Sequence, residues 1–343
     1  YEEVFSLLPH DMESIAALEV IYRGNKLWEQ LATLLNRKVE YAESAEEARA
    51  ARRELGFLYA HELNDVSKAI DILEHVLEVM HDDIKLLRQL LELYEKTGRM
   101  RGYLKTARIL VDETPDIGEK INLLKRMAAE WRLTPSTRAN AAECYEKILE
   151  LRVEEEDVYD SLEDIYAAEE QWDALAMTLN RHTKIVQAEG TRAQLLRRLG
   201  EILMNQLDDA KGAVPMLEES LALRPKNADT LKLMAKAYES IGATANAAAT
   251  LEQLVEALDD ELQRTAAWGR LGRAYLSLDK IEQAEAALQK ALAANENEFT
   301  YLSAIGEVYR RQAQWTRAAS YYERAIKATK NQQEQGTVVF IVA

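Results

Sequence analysis

WGRLGRAYLSLDKIEQAEAALQKA, residues 268–291, and LSAIGEVYRRQAQWTRAASYYERA, residues 302–325, are the stretches that decide the fold. Slid back by one repeat, the second lies on the first: Leu302 on Trp268, Ile305 on Leu271, Gly306 on Gly272, Tyr309 on Tyr275, Ala318 on Ala284, Tyr322 on Leu288 and Ala325 on Ala291. Within each half of either stretch the apolar positions recur at steps of three and four, the spacing of one helix face. A short polar break (Ser277 to Lys280, Arg311 to Gln314) separates the halves. Each stretch therefore reads as two helices joined by a tight turn.

The same beat runs back through the chain. Anchors fall at Tyr22, Tyr59, Tyr94, Trp131, Tyr166, Leu203, Tyr238, Tyr275 and Tyr309, so the gaps alternate between 37 and 35 and close on 34. A fixed period in the thirties signals stacked supersecondary units rather than one globular core. The beat is double, because Gly56, Ala128, Gly200 and Gly272 lie 72 apart, and odd and even units are expected to differ in loop length. Helix pairs are expected at 11–24 with 27–41, 45–62 with 65–80, 83–97 with 100–112, 116–132 with 137–152 and 156–169 with 171–187. Four more follow at 190–206 with 209–223, 228–241 with 244–259, 261–277 with 280–294 and 298–312 with 314–329. Pro215 falls inside one of these helices, where it is expected to bend it.

No linker rich in Pro, Gly or Ser interrupts the array, so 11–330 reads as one domain. Residues 1–10 (YEEVFSLLPH) read as the second helix of a preceding unit. Residues 331–343 form a tail whose end, TVVFIVA, is β-branched and apolar with no strand to join. It reads as a remnant, as the start of a further domain, or as a segment bound in a neighbour's groove.

Bulk composition narrows the function classes. Only five prolines and 13 glycines occur among 343 residues, as an all-α chain requires. The net charge is −16, which argues against nucleic acid as partner, since phosphate binding needs clustered Lys and Arg. No apolar run reaches the ~20 residues that would cross a bilayer, so no direct membrane insertion is expected. A single cysteine, Cys144, excludes an intrachain disulfide and a multi-thiolate metal site, and suits a reducing, cytoplasmic setting.

The ordered set Trp268, Leu271, Gly272, Tyr275, Ala284, Leu288, Ala291, repeated as Leu302, Ile305, Gly306, Tyr309, Trp315, Ala318, Tyr322, Ala325, resembles the tetratricopeptide repeat. The likeness is tight over 228–329 and looser, though in register, over 12–227. It implies an α-solenoid of about nine helix–turn–helix units wound into a right-handed superhelix. It also implies a protein–protein interaction scaffold or adaptor, with the first helix of each unit lining a concave face. Similar arrays serve as peptide-sensing regulatory modules or as targeting arms of larger enzymes, and both remain alternatives. Chaperone-tail-binding members use a Lys/Asn carboxylate clamp; here the Asn positions hold Phe57, Glu92 and Ala129, which disfavours that partner.

Within the pattern, Gly56, Ala128, Gly200, Ala235, Gly272 and Gly306 sit three before their anchors, where the two helices of a unit must approach closely. Glu19, Leu91 and Glu163 take that position in other units and are expected to widen the packing there. Trp28, Trp172 and Trp315 open second helices and are expected to pack the turn.

Residues that would carry chemistry are sparse. The histidines (His10, His61, His75, His81, His182) are far apart in sequence and form no ligand spacing on one helix. Cys144 has no nearby base to activate it. Neither catalysis, a metal nor a cofactor is called for. The charge pattern says more. The positions six before each anchor hold Arg53, Arg88, Lys125, Arg197 and Lys232 in five of nine units. Across five inward positions per unit the tally is 13 basic against 10 acidic residues, so this face is near +3 in a chain of −16. It is most basic around Tyr59, Tyr94 and Trp131, and reverses with Asp157, Asp160 and Asp164. The expected partner is an acidic or C-terminal peptide segment gripped by Arg53, Arg88, Lys125 and Arg132, with Phe57 and His61 beside them, because guanidinium binds carboxylate in two places. Self-association through the end helices is a further expectation.

Overall fold

The computed structural model describes residues 1, 11–329 and 331. Apart from Tyr1 and Asn331, the expected leading helix over 1–10 and the tail over 331–343 lie outside the described residues. The chain divides into two compact units, Tyr1–Val153 and Glu154–Ala343.

Among the described residues the first unit holds four helix pairs: α1 (Met12–Gly24) with α2 (Trp28–Glu40), α3 (Ala45–His61) with α4 (Val66–Leu77), α5 (Ile84–Thr97) with α6 (Met100–Glu113), and α7 (Ile117–Arg132) with α8 (Arg138–Leu151). The second holds five: α9 (Glu156–Ala168) with α10 (Trp172–Ile185), α11 (Glu189–Asn205) with α12 (Ala210–Leu223), α13 (Ala228–Ser240) with α14 (Thr244–Ala257), α15 (Glu261–Ser277) with α16 (Ile281–Ala294), and α17 (Phe299–Arg311) with α18 (Trp315–Ala328). No strand occurs among the described residues, and within each unit every helix packs on the next in sequence. The fold is the all-helical solenoid that the period predicts, with helix bounds close to expectation.

The double beat has a physical cause. First helices alternate between 13 or 14 residues (α1, α5, α9, α13) and 16 or 17 (α3, α7, α11, α15). The alternation is thus mainly one extra turn of helix, ~5.4 Å, rather than a difference in loops alone. Their caps keep register. Asp11, Asp83 and Asn227 stand at one fixed spacing before their anchors, and Ser44, Asp116 and Asp260 stand one turn farther ahead of theirs. Each accepts a backbone N–H of the first turn. Such caps are worth ~1 kcal/mol each.

Turns within the pairs share a second device. Eight of the nine carry one residue at positive φ: Lys26, Asn64, Gly98, Glu170, Asp208, Gly242, Asp279 and Ala313, at 51–73°. Only Gly98 and Gly242 adopt it without steric cost; at Lys26, Glu170 and Ala313 the left-handed backbone is strained by ~1–2 kcal/mol. Packing across each pair supplies the compensation. The ninth turn uses a 3₁₀ segment opened by Pro135. Pro215 lies inside α12, which runs unbroken through it.

Close approach at the glycines is literal. A Cβ added at Gly56 would lie 2.4 Å from Leu73 Cδ2, at Gly200 2.7 Å from Leu217 Cγ, at Gly272 2.5 Å from Leu288 Cγ, and at Gly306 2.7 Å from Tyr322. Ala128 and Ala235 fill the same position with no exposure. The anchors pack and also bond: the hydroxyls of Tyr94, Tyr238, Tyr275 and Tyr309 donate to Glu74, Glu218, Glu252 and Glu285 on the second helix of the preceding pair. Each of these four anchors therefore ties one hairpin to the one before it. Burial and the carboxylate together push the Tyr275 phenol up to about 12.

One packing expectation fails at the end. Trp28 packs into a cluster with Leu55 and Leu58 of the next pair, and Trp172 with Leu195 and Leu199 of the next pair. Trp315 is 65% exposed. The indole needs a following hairpin to cover it, and none continues the array among the described residues.

Candidate functional site

On α3, Arg53, Phe57 and His61 fall at i, i+4 and i+8 and so share one helix face. The Arg53 guanidinium carbon lies 5.4 Å from the Phe57 ring centroid, and the Phe57 and His61 rings are 6.4 Å apart, tilted by 44°. Arg53 and Phe57 are half-buried and His61 is exposed. The next first helix, α5, meets the stripe at both ends. Asp83 pairs with Arg53 at 2.9 Å, and Gln89 Oε1 lies 2.9 Å from His61 Nε2. Asp83 does two jobs, since its other oxygen caps α5 through the N–H groups of Lys85 and Leu86.

Further along the same unit, Arg88 donates from Nε and Nη2 to the two oxygens of Glu119 at 2.8 and 2.7 Å. That grip, with a second bond from Thr114, holds the Glu119 carboxyl below its usual range and raises the Arg88 guanidinium. Lys125 is half-buried and Arg132 is exposed, and both are engaged by other groups of the chain. Arg197 and Lys232 lie in the second unit, each in a local pair: Arg197 with Glu201 at 3.3 Å and Lys232 with Asp229 at 3.1 Å.

The structure therefore gathers Arg53, Phe57, His61 and Arg88 on first helices of one unit, but their cations are already paired. A ladder explains why. Arg23 with Glu54, Arg53 with Asp83, Arg88 with Glu119, Glu95 with Arg126, Glu239 with Arg270 and Asp279 with Arg311 each lie a little under one repeat apart and link successive first helices or their ends. The carboxylates Asp83 and Glu119 stand at the starts of first helices, outside the positions sampled by the charge tally. A search for opposite charges at that near-repeat spacing would have found them in the sequence. Most of these pairs are exposed, Arg88 by 51%, so each contributes ~0–1 kcal/mol and salt screens it, but Arg53–Asp83 is sheltered, its side chains exposed by only 30% and 11%.

A second cluster escaped the sequence reading. Glu163, at the close-approach position of its pair, is buried; its Oε1 lies 2.8 Å from His182 Nδ1 on α10, and its Oε2 accepts from Arg198 on α11 at 2.5 Å. The Tyr159 ring stacks on His182 at 4.9 Å. Glu19 repeats the arrangement in the first unit, accepting from Lys38 at 2.8 Å, at the same separation in sequence. A polar link across the pair thus replaces the glycine contact. Removing one partner of such a buried pair costs ~3–5 kcal/mol.

The other singled-out groups are inert or peripheral. Cys144 is buried and its thiol is pushed up to about 11 by that burial. His75 meets Glu78, His81 is exposed, and His10 lies outside the described residues. No helix among the described residues is long and apolar enough to cross a membrane.

Family models of the tetratricopeptide repeat match residues 204–264, 265–298 and 302–336. No curated protein matches the chain with significance. Among solved structures, MamA from Desulfovibrio magneticus RS-1 is 21% identical, covering 52% of this chain and 96% of its own, with a TM-score of 0.43. YrrB, described as a TPR protein with an unusual peptide-binding site, is 19% identical over 57% of this chain and 95% of its own, at 0.39. The APC/C hetero-tetramer Cut9–Hcn1 is 16% identical over 92% of this chain and 63% of its own, at 0.39. Likeness this loose carries no argument by itself.

Proposed function

This chain is a tetratricopeptide-repeat protein, and from that premise we propose that it acts as a non-catalytic scaffold that docks an acidic segment of a partner on the first-helix face of residues 45–132. The observation that carries the reading is the stripe Arg53–Phe57–His61, a cation, an aromatic ring and an imidazole on one helix face. A half-buried phenylalanine between two polar groups gives an incoming chain apolar area at ~25 cal/mol per Å². Arg53 and Arg88 supply forks for its carboxylates.

Their present partners do not block this. Glu119 holds the half-exposed Arg88 in a pair worth ~0–1 kcal/mol, so an arriving carboxylate that is also anchored at Phe57 displaces it at small cost, while the more sheltered Arg53–Asp83 pair stays in place beside it. Because the helices are already packed, little ordering is needed on this side of the complex. The surface differs from the clamp of chaperone-tail binders, since Phe57 and Glu92 stand where that clamp has asparagine.

The test is recovery of partner by the full chain and by its variant Arg53→Glu/Arg88→Glu/Lys125→Glu, with Phe57→Ser as a second variant that leaves the charges alone. Recovery should fall in both while the helical circular-dichroism signal stays. Unchanged recovery in both removes this surface from consideration.

A further inference from the structure

We propose that Asp160, Glu163 and His182 form a binding site for one divalent metal ion of the zinc class, clamping α9 to α10. One ligand atom from each of the three lies within 4.8 Å of the others. Two of the donors are preset: Glu163 Oε1 and His182 Nδ1 are 2.8 Å apart, on side chains exposed by only 3% and 5%. Ligands on zinc bonds of about 2.0–2.1 Å are separated by about 3.3 Å in a tetrahedral site. The buried pair therefore needs only to relax slightly, exchanging a shared proton for the metal. Asp160 is one helical turn before Glu163, on the same face of α9, and is exposed. A rotamer change brings its oxygen the remaining distance of about 1.5 Å, the difference between the present spread and that tetrahedral edge.

The surroundings fit a metal site on three further counts. No hydrogen bond or ion pair holds Asp160 among the described residues. Arg198 takes the far oxygen of Glu163, Oε2, at 2.5 Å, leaving Oε1 as the donor; a fixed outer partner of this kind orients a ligating carboxylate. Tyr159, stacked on the imidazole at 4.9 Å, fixes the ring plane.

One imidazole with two carboxylates selects among metals. Mixed nitrogen and oxygen donors suit zinc and its transition-metal neighbours, whereas calcium and magnesium call for oxygen alone. Three protein ligands leave a fourth position for water on the exposed side of Asp160. The twin pair Glu19–Lys38 shows the contrast. There an ammonium replaces the imidazole, and Ala16 stands where Asp160 does, so no second carboxylate is present.

The experiment is calorimetric titration of the chelator-stripped full chain with zinc chloride, alongside Asp160→Asn and Glu163→Gln. Cobalt(II) serves as a visible probe of the coordination. The wild type should bind one equivalent and show the ligand-field absorption of bound cobalt. Asp160→Asn, an exposed change that leaves the fold intact by circular dichroism, should weaken zinc at least tenfold and lose the cobalt band. A wild type with no saturable one-to-one binding, or equal binding in wild type and Asp160→Asn, would overturn the site. Displacement of zinc by millimolar magnesium would overturn the choice of metal class.

Discussion

Adding a single methyl group at Gly272 probes the contact on which each hairpin depends. A Cβ there would stand 2.5 Å from Leu288 Cγ, 2.9 Å from Leu288 Cδ2 and 3.3 Å from the Ala284 carbonyl oxygen. Leu288 is fully buried, and its Cγ cannot swing away as a free chain end would. Helices α15 and α16 must part instead, an overpacking cost of ~1–3 kcal/mol. Alanine returns ~0.5–1 kcal/mol through helix propensity. The expected net loss for Gly272→Ala is ~0.5–2 kcal/mol, about 1–8 °C in Tm for a unit of this size. Gly24, the last residue of α1, has no heavy atom within 4 Å of an added Cβ, so Gly24→Ala is the neutral control. Urea and thermal unfolding followed by circular dichroism measure both. Leu288→Ala alone should cost ~2–5 kcal/mol, and less in the Gly272→Ala background, because the methyl then fills part of the space. Hydrogen exchange should speed up in 261–294 and its neighbours while α3 around Tyr59 keeps its protection. A Gly272→Ala variant as benign as Gly24→Ala, or strict additivity with Leu288→Ala, would refute the reasoning.

Two more outcomes follow from titratable groups. Hydrogen bonds from Arg310, then Arg311 and Tyr322, hold the Glu307 carboxyl at about 2 against an ordinary 4.5. A depressed folded value means that its stabilisation is full above about 4.5 and is lost as pH falls toward 2, so Glu307→Gln should flatten the fall in Tm between pH 5 and 2 and cost about 1 kcal/mol at neutral pH, a small figure because solvent screens both arginines. Cys144, whose thiol is pushed up to about 11, should react with a thiol reagent at pH 8 only after denaturation; fast labelling of the native chain would contradict its burial.

The repeat was legible because its anchors fill the same gap in every pair, and four of them also bond in the same way. A tyrosine that fills a gap and donates to the preceding hairpin leaves a periodic trace that no local propensity could blur. The close-approach glycines were legible for the same reason, since their role is steric and admits few residue types. The repeat models match from residue 204 onward, over the tight stretch and the end of the looser one before it; the helical pairs themselves extend back to Met12. What the sequence hid was pairing between units of the repeat. Arg88 looked like an unmatched cation because its carboxylate, Glu119, lies nearly a full repeat away at the start of another helix. His182 looked isolated because Glu163 stands on the preceding helix, across a turn. A search for ligands or charge partners at i+3 and i+4 sees one helix only, and in a stack of hairpins the relevant neighbours are one helix or one hairpin away. The strained turn residues Lys26, Glu170 and Ala313 were hidden for a different reason: neighbouring packing imposes their conformation, and their own chemistry does not advertise it.

The docking surface itself is tested most directly by a photo-crosslinking amino acid placed at position 57, between Arg53 and His61. Met177, 68% exposed in the other unit, serves as the control position. Irradiation in the native host, followed by mass spectrometry of the adduct, reports what touches the stripe. The account predicts an adduct at position 57 to an acidic segment, suppressed by Arg53→Glu/Arg88→Glu and absent at position 177. Partner recovered in full with no adduct at position 57, or an adduct only at position 177, would contradict it.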